Sequence, residues 1–382
     1  MNARSALRRD ANPRQSAAPL QPAAPAPPVQ KGRGALTNAD GRYERFSHVR
    51  EDDSWGTLDA EDMPAPKTTV LYDATRSVIA RNTSPDLSFD RSINPYRGCE
   101  HGCVYCFARP THAWLGMSPG LDFETRILLK PRAAELLEAE LADPKYTPRV
   151  IALGTNTDPY QPLEREHQIT RRVLEVLAAH NHPVAIVTKN HLVTRDIDIL
   201  APMAEKGLAK VAVSITTLDG KLARTMEPRA SSPAKRLDAI RALARAGIPA
   251  AVMTAPLIPA LNDMEMETIL ERSAEAGATS AGYVMLRLPL EIKDLFREWL
   301  EAHVPDKAAH VMALVRGMRG GKDYDANWGT RMTGGGPYAE MIGQRFRVAA
   351  RRLGLNSQRF PLDATQFFRP RRAGEPRQLA LL

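Results

Sequence analysis

The feature that most constrains the fold is a recurring alternation in the middle of the chain. Short β-branched apolar runs, Val150–Gly154, Pro183–Lys189, Lys210–Thr216, Ile248–Thr254 and Ser280–Leu286, alternate with stretches of helical periodicity at Arg132–Leu141, Gln168–His180, Arg195–Glu205, Pro233–Ala246 and Asp263–Ala276. Continuous rather than alternating apolar character is the pattern of parallel strands covered on both faces, and the intervening amphipathic segments supply the cover. Gly247, closing "RAGIPA" (Arg245–Ala250), is placed to end a helix in the left-handed conformation before the chain enters a strand. With one more strand before Cys99 the count is six βα units. Six is too few for the closed eight-stranded barrel, so the expected fold class is α/β, a partial (β/α)6 TIM-type barrel open on one side.

Composition sets the boundaries around this core. Residues 1–60 are rich in Pro, Ala and Arg, with the run Ser16–Gly34, and cannot bury enough apolar surface to offset their chain entropy; a disordered N-terminal segment is expected. Residues 61–300 carry the barrel. Residues 301–370 are expected to form a helical C-terminal extension, interrupted by the Gly-rich stretch Thr333–Pro337, and residues 371–382 a basic tail. From Arg345 to Leu382 nine arginines face only Asp363 and Glu375, so nearly all of the net charge of +8 sits there. Such a tail suits phosphate backbones or serves as a solvated end. No run of about 18 apolar residues occurs, which argues against a membrane span. Residues 1–19 lack the apolar core of a secretory signal, and all three cysteines fall within eight residues, which removes a disulfide framework; the expected location is the cytoplasm.

Those cysteines form C-x3-C-x2-C (Cys99, Cys103, Cys106) within Asn94–His112, directly after the first predicted strand. Three thiolates on one loop can hold a four-iron, four-sulfur cube while leaving one iron open. The alternative is a zinc site with His101 or His112 as the fourth ligand. Inert packing suits a polar, glycine-containing loop poorly. In barrels of this kind the chemistry lies at the C-terminal ends of the strands, where the motif falls.

The segment resembles the signature of the radical S-adenosylmethionine superfamily, C-x3-C-x-aromatic-C, with Tyr105 as the aromatic residue. The likeness spans about residues 70–300. The stretches Gly154–Glu164, Val187–Asn190, Val213–Asp219, Glu227–Pro249 and Ala255–Asp263 are similar to the spore photoproduct lyase-like members. The resemblance implies a [4Fe–4S] cluster ligated by Cys99, Cys103 and Cys106, bound S-adenosylmethionine, a 5′-deoxyadenosyl radical that abstracts hydrogen from substrate, and an electron donor such as flavodoxin or ferredoxin. It also implies a cofactor shell: Tyr105 by the adenine, Thr157 and Asp158 near the methionine end, Lys189 near the carboxylate and Ser214 near the ribose. The bland reading of these residues is a capped turn, a surface lysine and a satisfied strand hydroxyl.

One departure bears on the reaction. The lyases carry a hydrogen-donating cysteine after the second strand, where this chain has Thr155 as the best match, so the substrate is left open, with a nucleic acid lesion or modified base as a candidate. Tyr96, Tyr160 and Tyr283 are the substitute donors to consider. The aromatics Trp328, Tyr338, Phe346, Phe360, Phe367 and Phe368 either cover the barrel mouth or belong to the core. Finally, Gln378, Leu379, Leu381 and Leu382 resemble a bacterial sliding-clamp-binding end, Gln-Leu-x-Leu followed by Phe or Leu. The competing functional reading is a non-catalytic, metal- or cluster-braced module that binds nucleic acid or the clamp.

Overall fold

The computed structural model describes residues 29–43 and 67–370. Six parallel strands, each joined to the next through helix, form the frame: β1 (Arg91–Ile93), β2 (Ile151–Leu153), β3 (Val184–Thr188), β4 (Ala209–Ser214), β5 (Ala250–Leu257) and β6 (Ser280–Met285). They lie side by side in chain order, and a short antiparallel strand, Ile79–Arg81, extends the β1 edge. β1 and β6 do not pair, so the sheet curves without closing, as the count of six units predicts.

The helices are α1 (Ala133–Leu141), α2 (Ile169–Ala179), α3 (Ile197–Glu205), α4 (Pro233–Arg245) and α5 (Met266–Glu275). In α2 the residues Ile169, Val173, Leu174 and Leu177 recur at helical spacing and are fully buried. They join Ile93, Leu153, Ile186, Val211 and Val252 of the sheet in one core, each such side chain contributing about 1.5–3 kcal/mol on burial. α4 starts at the Ser232 cap with Pro233 in its first turn and ends as expected, with Gly247 at φ +74° and the Ile248 N–H returning to the Leu243 carbonyl at 3.0 Å. A second small sheet has Arg126–Leu129 at its centre, paired with Thr69–Tyr72 on one side and Tyr96–Arg97 on the other, a feature the periodicity of the sequence does not reveal.

The expectation of a disordered segment over residues 1–60 fails at residues 29–43. Ala35 and Leu36 are buried, the Gly34 and Ala35 N–H groups donate to the Glu124 carboxylate at 3.0 and 2.8 Å, and Leu121 N–H donates to the Thr37 carbonyl at 3.2 Å. A Cβ on Gly34 would lie 1.8 Å from the Gly102 carbonyl oxygen, so this close crossing requires glycine. The remainder of that segment lies outside the described residues.

Past the barrel come α6 (Ile292–His303), α7 (Pro305–Gly317) and α8 (Gly336–Arg352), as expected for a helical extension. α8 is tied to α5 by the Arg345–Glu267 ion pair, at 2.7 Å. The chain then crosses beneath the sheet: Asn356 N–H bonds Thr279 O at 3.0 Å, Asp363 N–H bonds Gly207 O at 3.0 Å, and Phe368 N–H bonds His180 O at 3.2 Å. All three acceptors precede strands, so this arm lies at the N-terminal strand ends. Phe367 packs there on Tyr146 and His182 and Phe368 on His180, away from the mouth. Residues 371–382, including the clamp-like end, lie outside the described residues. Among the described residues no helix is long and apolar enough to cross a membrane.

His182 makes this arm pH-sensitive. The fully buried ring has Nε2 2.8 Å from the Tyr146 hydroxyl and Nδ1 3.1 Å from the Pro183 carbonyl, and burial pushes its pKa down to about 4. Between about pH 6.5 and 4 the unfolded chain binds the proton and the folded chain does not, so stability is expected to fall with pH across that window, by up to about 3 kcal/mol. Urea melts at stepped pH should show this slope flattened in His182→Gln; an unchanged slope would assign the effect to another group.

Candidate active site

The cysteine loop leaves β1 and is held from both sides. Cys99 N–H donates to Phe123 O at 2.9 Å, Val104 N–H to Met226 O at 3.1 Å and Cys106 N–H to Cys103 O at 3.1 Å. Beneath it the Arg109 guanidinium, fully buried, donates to the carbonyls of Cys103 (2.9 Å), Gly102 (3.2 Å), Pro119 (3.1 Å) and Gly120 (2.9 Å), and forms an ion pair with buried Glu124. Glu124 is the same carboxylate that holds Gly34 and Ala35. Gly102 takes φ +67° over it, with no room for a Cβ (2.7 Å from Glu124 Oε2). The loop is therefore rigid before any metal arrives.

Cys99, Cys103 and Cys106 are free thiols that line one cavity of about 490 Å³ at the C-terminal ends of the strands. Burial pushes the Cys99 and Cys103 thiols well up, and Cys106 up against the opposing effect of Arg109. Unmetallated, they stay protonated; metal binding releases the protons. Among the described residues no three His, Cys, Asp or Glu side chains group around a single ion position. His101 has Nδ1 3.4 Å from Asp158 Oδ2 and Nε2 3.2 Å from the Asn190 amide. His112 lies outside the lining, its Nε2 3.0 Å from the Arg126 carbonyl. This arrangement does not fit the zinc reading. Three soft donors spread around a chamber, leaving a fourth position without a protein ligand, fit a four-iron cluster.

The strand ends bring most of the expected shell to the same chamber. After β2, Gly154 at φ +83° brings its backbone against Val187 O, where a Cβ would stand 1.8 Å away. This turn presents Asp158, whose carboxylate accepts from Thr188 Oγ1 (2.7 Å), Lys189 N–H (2.7 Å) and Tyr160 N–H (2.9 Å). Burial opposes its ionisation, yet His101 and these donors hold the carboxyl below the usual range. After β3, Lys189 Nζ donates to Ser214 Oγ (2.6 Å), Thr216 Oγ1 (3.2 Å) and Ala255 O (3.0 Å), lies 3.2 Å from Glu227 Oε1, and stands 5.6 Å from the centre of the Tyr105 ring. Burial pushes its pKa down to about 8. It is not a surface lysine.

Tyr105, Asp158, Lys189 and Ser214 all line the cavity. Thr157 does not: its hydroxyl is buried on the Tyr96 carbonyl at 2.8 Å, turned away by the tight loop, while Thr155 and Asn156 face the chamber instead. The substitute hydrogen donors are also placed elsewhere. Tyr96 bonds Glu164 within the wall, Tyr160 is fully buried, and Tyr283 packs on Phe346 outside the lining. Of the aromatics considered as a mouth cover, Tyr338 bonds Asp263 at 2.6 Å, Trp328 is exposed, and none is among the lining residues.

Two residues that support the cavity lining from behind it were not singled out from sequence. Glu227, wholly buried, accepts from Tyr105 and from Thr216 Oγ1 (2.6 Å), lies against Lys189 and pairs with buried Arg236. Arg236 also donates to the carbonyls of Ser214 (3.1 Å) and Ser231 (2.7 Å). One carboxylate thus positions the aromatic ring, the lysine and the β4 end together. The only signal in the sequence was an acid and a base nine positions apart within Glu227–Pro249.

Comparison with known proteins agrees with this geometry. The family described as the Radical SAM superfamily matches residues 93–272. An uncharacterized protein of Mycobacterium bovis is 38% identical over 232 residues, covering 60% of this chain and 68% of that protein. An uncharacterized protein of Methanocaldococcus jannaschii is 27% identical over 214 residues, 56% of this chain and 76% of that one. Among solved structures, spore photoproduct lyase complexed with dinucleoside spore photoproduct has a TM-score of 0.50 at 16% identity, covering 75% of this chain and 80% of that chain. That is a likeness of fold.

Proposed function

The chain belongs to the radical SAM superfamily, and we propose that it generates a substrate radical inside the cysteine-lined chamber, acting on a nucleic acid. Enzymes of this family use a [4Fe–4S] cluster and S-adenosylmethionine. On one-electron reduction that pair supplies a 5′-deoxyadenosyl radical able to take a hydrogen atom from a nearby carbon. A small reductant such as flavodoxin or ferredoxin is the proposed electron source.

The observation that carries the reading is the convergence of Cys99, Cys103 and Cys106 with Lys189, Asp158, Ser214 and Tyr105 on one cavity of about 490 Å³. In this reading the three cysteines hold the cluster. Lys189, a cation fixed by four neighbours, takes the carboxylate of the bound methionine moiety. Asp158 is an ionised acceptor suited to an ammonium group, Ser214 to a ribose hydroxyl, and the Tyr105 ring to the adenine. Thr157, occupied by Tyr96, contributes through the shape of its loop. The nucleic acid assignment draws on the arginine-rich C-terminus and on the dinucleoside named for the fold relative.

The test is direct. Protein loaded anaerobically with iron and sulfide, reduced with dithionite and given S-adenosylmethionine is expected to release 5′-deoxyadenosine, measured by chromatography, with more released when a single-stranded oligonucleotide is present. A fully loaded, reduced cluster that yields none in either condition would leave the non-catalytic module as the better account. Release that no oligonucleotide alters would remove the nucleic acid assignment alone.

A further inference from the structure

One wall of the chamber carries a cation, Arg287, with no carboxylate within ion-pair distance among the described residues. Arg287 lies two residues beyond β6, lines the cavity, and has its guanidinium carbon 5.0 Å from the centre of the Phe107 ring, the residue directly after the last cysteine. Its contacts are weak for a half-buried cation. Nη1 lies 3.5 Å from the Met332 sulfur, Nη2 lies 3.3 Å from the Tyr324 hydroxyl, and Nε is buried with no partner among the described residues.

Three other arginines around the site each have a carboxylate: Arg109 has Glu124, Arg236 has Glu227, and Arg331, on the same wall of the cavity, has Asp86 at 2.5 Å. Arg287 has no carboxylate within ion-pair distance among the described residues. Behind it stands another cation. Arg319 is buried and donates to the carbonyls of Leu286 (3.0 Å) and Thr330 (2.8 Å), and its Nε also has no partner among the described residues. Burial, followed by the charge of Arg287, lowers the pKa of Arg319.

Enclosed cations are ordinarily paired, because the desolvation of an unpaired charge is not recovered. A guanidinium offers five donors in a planar fork that matches a carboxylate or phosphate. We propose that Arg287 is the substrate-anchoring residue of this chamber, taking an oxyanion of the substrate, phosphate or carboxylate, beside the Phe107 ring. The inference rests on the radical SAM reading only for the identity of the chamber as the reaction site. It assigns Arg287 to substrate rather than to S-adenosylmethionine, because the charged partners proposed for that molecule's amino acid end, Lys189 and Asp158, belong to a separate network at the ends of β2 and β3.

The experiment uses cluster-loaded protein with saturating S-adenosylmethionine, under anaerobic conditions, and ligand-detected NMR titrations of phenyl phosphate, benzoate and benzyl alcohol. The wild-type protein is expected to prefer the anions to the alcohol. Arg287→Gln should weaken the anionic probes by roughly 10- to 100-fold, the loss of one or two charge-assisted hydrogen bonds, and leave benzyl alcohol unchanged. Arg287→Lys, which keeps the charge and loses the fork, should recover part of the affinity. Phosphate bound more tightly than benzoate points to a phosphate ester, and the reverse to a carboxylate. No anion preference in the wild type, or a loss in Arg287→Gln that falls on S-adenosylmethionine binding instead, overturns the assignment. Wild-type 5′-deoxyadenosine release scores the radical reading separately, so the two can fail independently.

Discussion

Alanine at any one of Cys99, Cys103 or Cys106 is expected to abolish 5′-deoxyadenosine formation and bleach the protein's iron–sulfur absorbance, while the fold survives. The three thiols line one chamber on a single loop, and no other cysteine exists in the chain to replace a lost ligand. Removing an outer hydrogen-bond partner of a metal ligand already costs about 10–100-fold in affinity or activity, so the loss of a ligand itself should exceed that. The fold is expected to persist because the loop is held without metal. Arg109 binds two of its carbonyls, those of Gly102 and Cys103, and ties them to the carbonyls of Pro119 and Gly120, while Glu124 closes the ion pair underneath.

Paired controls separate the cluster from the zinc alternative. His112→Asn is expected to keep the cluster, since the ring faces Arg126 O and Phe123 rather than the chamber. Iron and sulfide content with the paramagnetic resonance signal of the reduced protein reads both outcomes. Cluster lost from His112→Asn as completely as from Cys103→Ala would make His112 a ligand and defeat the three-cysteine assignment.

The parts of this molecule legible in its sequence are those where local pattern and tertiary role coincide. The strands of the open sheet were visible because both faces are buried, so that Val184–Thr188 or Ala209–Ser214 must be apolar almost throughout. Asp158, Lys189 and Ser214 were singled out through the family resemblance, and what the apolar runs made legible is their position at the strands' C-terminal ends, which brings them to the cavity lining. Thr157 was misread because loop residues after β2 diverge in direction, and sequence adjacency to Asp158 does not carry its hydroxyl into the chamber. The ordered stretch at residues 29–43 was hidden because its anchors are backbone N–H groups of Gly34 and Ala35, whose acceptor is a carboxylate about ninety positions away. Composition reports apolar area; it is blind to a main-chain donor that finds a buried acid. Arg287 was hidden for the opposite reason, since what marks it is the absence of an acid within ion-pair distance among the described residues.

Glu227 carries the second large effect. Its Oε1 accepts from Tyr105 and from Thr216 at 2.6 Å and lies 3.2 Å from Lys189 Nζ, while Oε2 pairs with Arg236. Converting it to glutamine preserves shape but leaves two buried cations with no anion between them. Breaking a buried pair from one side costs about 3–5 kcal/mol, which for a chain of this size is a fall of roughly 4–6 °C in melting temperature. Lys189 would keep only neutral partners, so S-adenosylmethionine binding should weaken along with stability. Removing the partner as well changes the arithmetic, because two absent charges leave less buried charge uncompensated than one. The double variant Glu227→Gln with Arg236→Met is therefore expected to recover part of the stability lost by Glu227→Gln alone, but not the cofactor affinity, since Lys189 still lacks its carboxylate. Thermal melts and S-adenosylmethionine titrations of the three proteins test this. A double variant no more stable than the single would mean that Glu227 acts through Tyr105 and Thr216 rather than through the ion pair. Cofactor affinity recovered together with stability would mean that Lys189 needs no carboxylate to hold its place.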